Sequence, residues 1–415
     1  MLDTVFLQVL NMSLTASYVI LVVLFVRLLL KKAPRIFSYA LWSVVFFRLL
    51  CPFSFESLFS FLAINTEPIP NTIMYAKIPQ IDTGISSIDS LANPILATQQ
   101  AVPYASINPM QIHMFIAEYI WLVGIVVLFL YGITSLWRLH SKLIGAVKWR
   151  DNIYFADQIA SPFVIGFMRP KIYLPSTLSE QEQTYIILHE QIHIKRIDHI
   201  TKMIAFVALI LHWFNPLVWL AFTLFVKDME MSCDESVIKQ MDTDIRQEYS
   251  ISLLSLAAGR KITLSTPFAF GENDTKARIK NVLNYQKPSF KIILVSVIAV
   301  IIVFVGLMTN PIQHVLPVGA YKLENAQKAL PPSVVLKENN RFVFHHSVLS
   351  SYLPIGTYKI SKDELILTTD DQRNIYIFKI ANGKLIFQAD NSSEIPKYAG
   401  LDFIEDGSVF IYAGE

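Results

Sequence analysis

Residues 5–30 are almost unbroken hydrocarbon, interrupted chiefly by Asn11, Ser13, Thr15, Ser17 and Arg27. A helix rises 1.5 Å per residue, so about 20 apolar residues cross the ~30 Å hydrocarbon layer of a bilayer. No water is available there to backbone N–H and C=O groups, so such a run has to be helical. Residues 114–137 and 290–308 have the same character, and a shorter run covers 38–51 and is read on toward 61. Arg48 lies near the end of that shorter run, where a long cation can snorkel. Composition agrees: 53% of residues are hydrophobic and 16% charged, against about 25% charged in soluble domains. A net charge of +2 gives no electrostatic reason to expect nucleic acid. Two cysteines, Cys51 and Cys233, build no disulfide framework.

The charges around these runs set an expected topology. A cleaved leader carries basic residues before its apolar run; here Asp3 precedes it and Arg27, Lys31, Lys32 and Arg35 follow. The first run is therefore read as a retained span with its N-terminus outside. Arg138, His140, Lys142, Lys148 and Arg150 follow the third run, and Lys276, Arg278, Lys280, Lys287 and Lys291 lie at the start of the fourth. Basic flanks face the cytoplasm, and with four spans all of these fall on one side. The expected organisation is spans one and two in 1–61, an extracytoplasmic loop at 62–113, span three at 114–137, a cytoplasmic domain at 138–289, span four at 290–309, and an extracytoplasmic linker and β-rich domain at 310–415. Cys51 and Cys233 then lie on opposite faces.

The tail carries short β-type runs, among them residues 342–344, 356–360, 364–367, 375–380, 384–387 and 408–412. Asp370-Asp371, Asn382-Gly383 and Asp406-Gly407 supply turns between them. A small antiparallel β domain is expected, with 316–332 as its linker and His345-His346 as an ordinary exposed pair.

The chemistry sits in the cytoplasmic segment, at His189-Glu190-Gln191-Ile192-His193. Residues four apart share a helix face, so both imidazoles can point at one Zn²⁺, with Glu190 as general base. Ser179 and Glu182 read as the capping box that starts this helix. Two histidines leave zinc under-coordinated. His199 stands where a third histidine follows a sharp glycine turn in some zinc sites, but Arg196 favours continued helix and turns His199 away. Better placed is the run from Asp228 to Glu235. Glu230 can ligate zinc while Asp234, four residues on, accepts a hydrogen bond from a ligating imidazole. Asp234 or Cys233 as ligand, and Asp228 and Glu235 as solvated charges, remain open. Residues 200–226 are apolar enough to suggest a further crossing, yet His212, Asn215 and Pro216 interrupt them. A full crossing also separates His193 from Glu230. A helical hairpin turning at 214–216 is therefore expected, lying in or on the inner leaflet. Upstream, 153–156, 162–165 and 171–174 form a small sheet whose edge can hold a peptide by strand addition.

These motifs resemble the BlaR/MecR-type family of membrane zinc peptidases: His189-Glu-Gln-Ile-His193, the Lys-Arg-Ile-Asp-His that follows, the stretch from His212 to Trp219, Glu230-x-x-Cys-Asp-Glu235, and the stretch from Ser161 to Pro175. The resemblance covers about residues 1–310. It implies a gluzincin-type site with His189, His193 and Glu230 on zinc and Glu190 as base, in a cytoplasmic peptidase controlled from outside. It also implies self-cleavage and cleavage of a cytoplasmic DNA-binding repressor. Penicillin-sensing members carry an outer domain with S-x-x-K; residues 310–415 contain no such motif, so β-lactam sensing is not implied. The stretch from Ser265 to Gly271 is a flexible candidate for self-cleavage.

The fold class expected is a multi-domain membrane protein of the plasma membrane. It has four transmembrane helices, a cytoplasmic α+β zinc peptidase domain with a membrane-associated hairpin, and a small extracytoplasmic antiparallel β domain. Its expected partners are a cytoplasmic protein substrate, membrane lipid, an external ligand and a second copy as a homodimer, with no direct nucleic-acid contact. A constitutive quality-control protease and a receptor with structural zinc are the rival readings.

Overall fold

The computed structural model describes residues 2–414 apart from 54, 58, 63–67, 71–72, 75–78, 99–108, 160, 242–243, 259–274, 311–315, 327–329, 339, 348, 362–363, 372, 382 and 397–403. The candidate cleavage stretch 265–271 and the turn residue Asn382 fall outside the described residues. The chain divides into two compact units, 1–311 and 312–415.

The first unit begins with helices α1 (Leu2–Leu29) and α2 (Arg35–Leu50), then strand β1 (Phe55–Glu56), helix α3 (Ser86–Ala97) and helix α4 (Pro109–Ser141). A four-stranded sheet follows, formed by β2 (Val147–Arg150), β3 (Ile153–Ala156), β4 (Phe163–Ile165) and β5 (Lys171–Pro175) in the order β2-β3-β5-β4. Then come α5 (Glu180–Lys195), α6 (Asp198–Leu211), α7 (Pro216–Gln240), α8 (Arg246–Ala258), α9 (Thr275–Leu283), α10 (Phe290–Met308) and β6 (Thr309–Asn310).

Among the described residues three helical stretches are long and apolar enough to cross a membrane: Leu2–Lys32, Pro109–Ser141 and Phe290–Met308. The expected second span is not one of them. α2 has 16 residues, about 24 Å, against a hydrocarbon layer of ~30 Å. Leu41, Trp42, Val44 and Val45 of α2 are wholly buried, because α2 packs among α1, α7 and α10. Its C-terminal end lies at that of α10: Arg48 donates to the carbonyls of Leu307 (2.7 Å) and Thr309 (3.0 Å) and to Asn310 Oδ1 (2.8 Å). β1 pairs in parallel with β6 beside this clamp.

The apolar run at 200–226 doubles back. α6 stops at Leu211, and Pro216 opens α7, where its missing N–H is no loss. Asn215 caps α7 by accepting from the Leu217 N–H (2.9 Å), and its amide donates to Ser13 Oγ and Ser17 Oγ of α1 (2.8 Å each). His212 Nε2 donates to the Leu49 carbonyl (2.8 Å). At the other end of the hairpin, Arg196 reaches Ser232 in the second half of α7 (3.2 Å).

α5 starts as its sequence requires, with Ser179 and Glu182 forming a reciprocal capping box. Its end differs from expectation. The helix stops at Lys195, Ile197 takes a left-handed conformation (φ 62°), and α6 begins at Asp198. The turn comes at a β-branched residue, where it is strained.

The second unit is a closed barrel of eight antiparallel strands: β7 (Gly319–Leu323), β8 (Ser333–Lys337), β9 (Arg341–His345), β10 (Ile355–Ser361), β11 (Glu364–Thr369), β12 (Ile375–Ala381), β13 (Lys384–Phe387) and β14 (Val409–Tyr412). Sequence neighbours pair all the way round, and β14 closes on β7. The expected linker at 316–332 therefore contains a barrel strand. Alternate residues point inward, and Phe344, Phe378, Phe410 and Tyr376 fill the interior with edge-on ring contacts.

Candidate metal centre

α5, α6, α7, α8 and α9 each send one or more side chains to a single buried cluster. From α5, His189 and His193 turn their Nε2 atoms toward each other at 3.0 Å. From α7, Glu230 brings its carboxylate oxygens within 3.4 Å of His189 Nε2 and 3.7 Å of His193 Nε2. The hairpin makes this possible, since α5 and α7 meet only because the chain between them returns.

The outer nitrogens fix the rings. His193 Nδ1 lies 2.8 Å from Asp198 Oδ2; a carboxylate only accepts, so Nδ1 carries the proton. Asp198 also accepts from Tyr39 Oη (2.8 Å). His189 Nδ1 lies 3.0 Å from Tyr249 Oη, and that hydroxyl donates to Asp234 Oδ1 (2.7 Å). The hydroxyl therefore accepts from His189 Nδ1–H. Both Nε2 atoms are left with lone pairs facing each other across 3.0 Å, an arrangement that needs a proton or a cation between them. The donor set of two imidazoles and a carboxylate suits Zn²⁺.

Burial alone would lower both imidazoles, but Cys233 and Glu230 beside them reverse the effect. His189 is pushed up to about 10 and His193 well above its ordinary value. Burial would raise Glu230, and the Arg278 guanidinium and the imidazoles instead hold it well below the usual carboxylate range.

Two observations point to different third ligands. His189, His193 and Cys233 form a buried group with ligand atoms within 4.8 Å of one another, whereas Glu230 brings oxygens to 3.4 and 3.7 Å of the two Nε2 atoms. The Cys233 Sγ lies 3.4 Å from the His189 carbonyl, and although burial would raise the thiol, the two imidazoles beside it hold it below its ordinary value. Glu230 thus brings oxygens, and Cys233 a sulfur, to the same pair of imidazoles. Glu190, next to His189 on α5, is buried.

Asp234 is wholly buried and lies 3.4 Å from His189 Nδ1, with Tyr249 between them as the closer partner. Asp228 and Glu235 are not solvated charges. Asp228 is wholly buried and accepts from Arg27 Nε and Nη2 (2.6 and 2.8 Å) and Trp42 Nε1 (2.9 Å). Glu235 accepts from the Arg35 backbone N–H at the start of α2 (2.8 Å) and from Asn281 (3.1 Å). The turn at Ile197 delivers Asp198, not His199, to His193. Sequence reasoning gave Asp198, Tyr249 and Arg278 no role in the site, and counted Arg278 as a basic flank of the fourth span. Only Asp198 had a signal, its closeness in sequence to His193.

The profile of the BlaR1 peptidase M56 family matches residues 7–282. The chain belongs to the BlaR1 peptidase M56 family. It is thus a membrane protein of a metallopeptidase family, and every residue of the cluster lies inside the match. The chain is 32% identical over 159 residues to the regulatory protein BlaR1 of Bacillus licheniformis, covering 37% of this chain and 25% of that protein. It is 30% identical over 147 residues to the methicillin resistance mecR1 protein of Staphylococcus aureus, covering 34% and 25%. With the regulatory protein BlaR1 of Staphylococcus aureus the identity is 25% over 329 residues, covering 69% and 53%. The chain thus spans a quarter to about half of the length of these relatives.

Proposed function

We propose that this protein is a membrane-embedded zinc endopeptidase that converts a signal from outside the membrane into cleavage of a cytoplasmic protein. The observation that carries the reading is the pair of Nε2 lone pairs 3.0 Å apart, with Glu230 alongside and Glu190 next in the helix. His189, His193 and Glu230 would hold the ion, three protein donors of the kind found in catalytic zinc sites. Zinc, when bound, supplies Lewis acidity that polarises a peptide carbonyl and brings the pKa of a water toward neutrality.

The chain's own groups do the rest. Asp198 and the Tyr249–Asp234 pair orient the imidazoles. Glu190 takes the proton of the attacking water and delivers it to the leaving amine nitrogen as the C–N bond breaks. β4 is an edge of the sheet, bonded only to β5, and packs against α5. An extended substrate is held there by strand addition.

The similarity to regulatory BlaR1 and mecR1 proteins favours a transcriptional repressor as substrate, with self-cleavage in the stretch from Ser265 to Gly271. In the membrane we place the N-terminus and barrel outside and the metal centre inside, with α2 crossing beside α10 because their C-terminal ends meet at Arg48.

Purified Glu190→Ala protein is expected to bind zinc as tightly as wild type and to cleave nothing. Fragments present in cells carrying the wild type and missing in cells carrying Glu190→Ala identify the substrate. Undiminished proteolysis by the purified variant, or identical fragment patterns, would remove the reading.

A further inference from the structure

Arg278 belongs to a basic cluster that the sequence marks as a membrane flank, yet its side chain is only 12% exposed. α9 aims it at the metal centre. Nε and Nη2 donate to Asp234 Oδ2 and Oδ1 at 2.9 and 2.7 Å, a two-pronged pairing. Nη1 lies 3.1 Å from Glu230 Oε2. One guanidinium thus spans the carboxylate placed to ligate the ion and the carboxylate that steers the His189 ring through Tyr249. Its mount is rigid. Asn281, one turn further along α9, donates to Glu235 (3.1 Å) and accepts from Arg35 Nε (3.2 Å).

We infer that Arg278 is a positioning residue of the metal centre, fixing the Glu230 carboxylate for zinc and locking the Asp234–Tyr249–His189 chain. The inference rests on the zinc-peptidase reading. The planar fork is what the position needs: a lysine carries the charge but cannot bond two carboxylates in fixed directions. Asp234 is wholly buried, so a neutral residue at 278 strands its charge. α9 is also the last helix before α10, so the residue that sets the metal ligand lies only 12 positions from the span that leads to the second unit.

The test uses the full chain in detergent micelles with Arg278→Lys and Arg278→Met. Zinc affinity is read by competition with a chromogenic chelator, kcat and KM on a peptide that the wild type cleaves, and folding by near-ultraviolet circular dichroism. Arg278→Lys keeps the charge that Asp234 requires and is expected to fold. It should loosen zinc on the order of 10–100-fold, the usual effect of losing a supporting partner, and lower kcat at least as much while KM changes less than twofold. Arg278→Met should show a larger loss of both. Should Arg278→Met fail to fold, Arg278→Lys decides alone. Arg278→Lys protein with wild-type zinc affinity and kcat overturns the inference, as does a loss of stability that leaves both unchanged. Zinc affinity is measurable even when no peptide is cleaved, so failure of this inference is separable from failure of the peptidase reading.

Discussion

His193 keeps its proton on Nδ1 because Asp198 accepts it at 2.8 Å. Asp198→Asn weakens that hold and lets the ring turn or change tautomer, so zinc affinity is expected to fall about 10–100-fold; chelator competition measures it. The third ligand separates in the same assay. Glu230→Ala should lose zinc at chelator concentrations that leave wild type loaded, while Cys233→Ala should keep it. The reverse order would make sulfur the ligand. The two histidines were legible because helical periodicity is local. Tyr249 lies 60 residues from the ring it supports, and Arg278 lies 44 from Asp234. Neither carries a local pattern, and Arg278 sits in a basic run that a topology rule explains equally well. Asp198 was hidden by a turn that no glycine announces, since Ile197 itself takes the left-handed conformation.

At the scale of elements, the hairpin of α6 and α7 is held by polar contacts with α1, α2 and α4. Arg27 and Asp228 form its strongest tie to α1. Arg27→Met leaves the wholly buried Asp228 carboxylate with the Trp42 N–H but without its cationic partner, a loss that typically costs about 3–5 kcal/mol. Arg27→Met/Asp228→Leu should regain most of that, and a double-mutant cycle in denaturant reads both. From this pair to Asn215 against Ser13 and Ser17 is 10–14 residues of α1, about 15–21 Å, so the turn reaches deep beside α1. The hairpin was legible from Asn215-Pro216 and from the need to reunite His193 with Glu230. Its depth was not, because it is set by which α1 hydroxyls Asn215 finds. α2 is harder to read: its apolar sequence suits a span, but it has only 16 residues and also packs against α1, α7 and α10, so burial in the bundle asks for the same apolar side chains. In the barrel, the strands with clean alternation stood out, whereas Gly319–Leu323 is short and weakly patterned and earns its place only by closing the ring.

For the whole molecule, the shared centre requires that the start of α6 and the end of α7 lie on one side of the membrane. Lys195 and Lys239 are exposed on either side of the hairpin in sequence, and Glu338 is exposed in the barrel. With Cys51 and Cys233 replaced by serine and alanine, a single cysteine at each position can be probed with a maleimide that does not cross membranes. In intact cells Glu338→Cys should react while Lys195→Cys and Lys239→Cys stay unlabelled; in inside-out vesicles the pattern should invert. Basic flanks at 138–150 and 276–291 favour this orientation, since cationic loops near spans stay in the cytoplasm. If both hairpin positions react from outside, the orientation is reversed and the metal centre survives on the other face. Reaction of the two from opposite faces separates His193 from Glu230 by a bilayer, and no common ion can then be held.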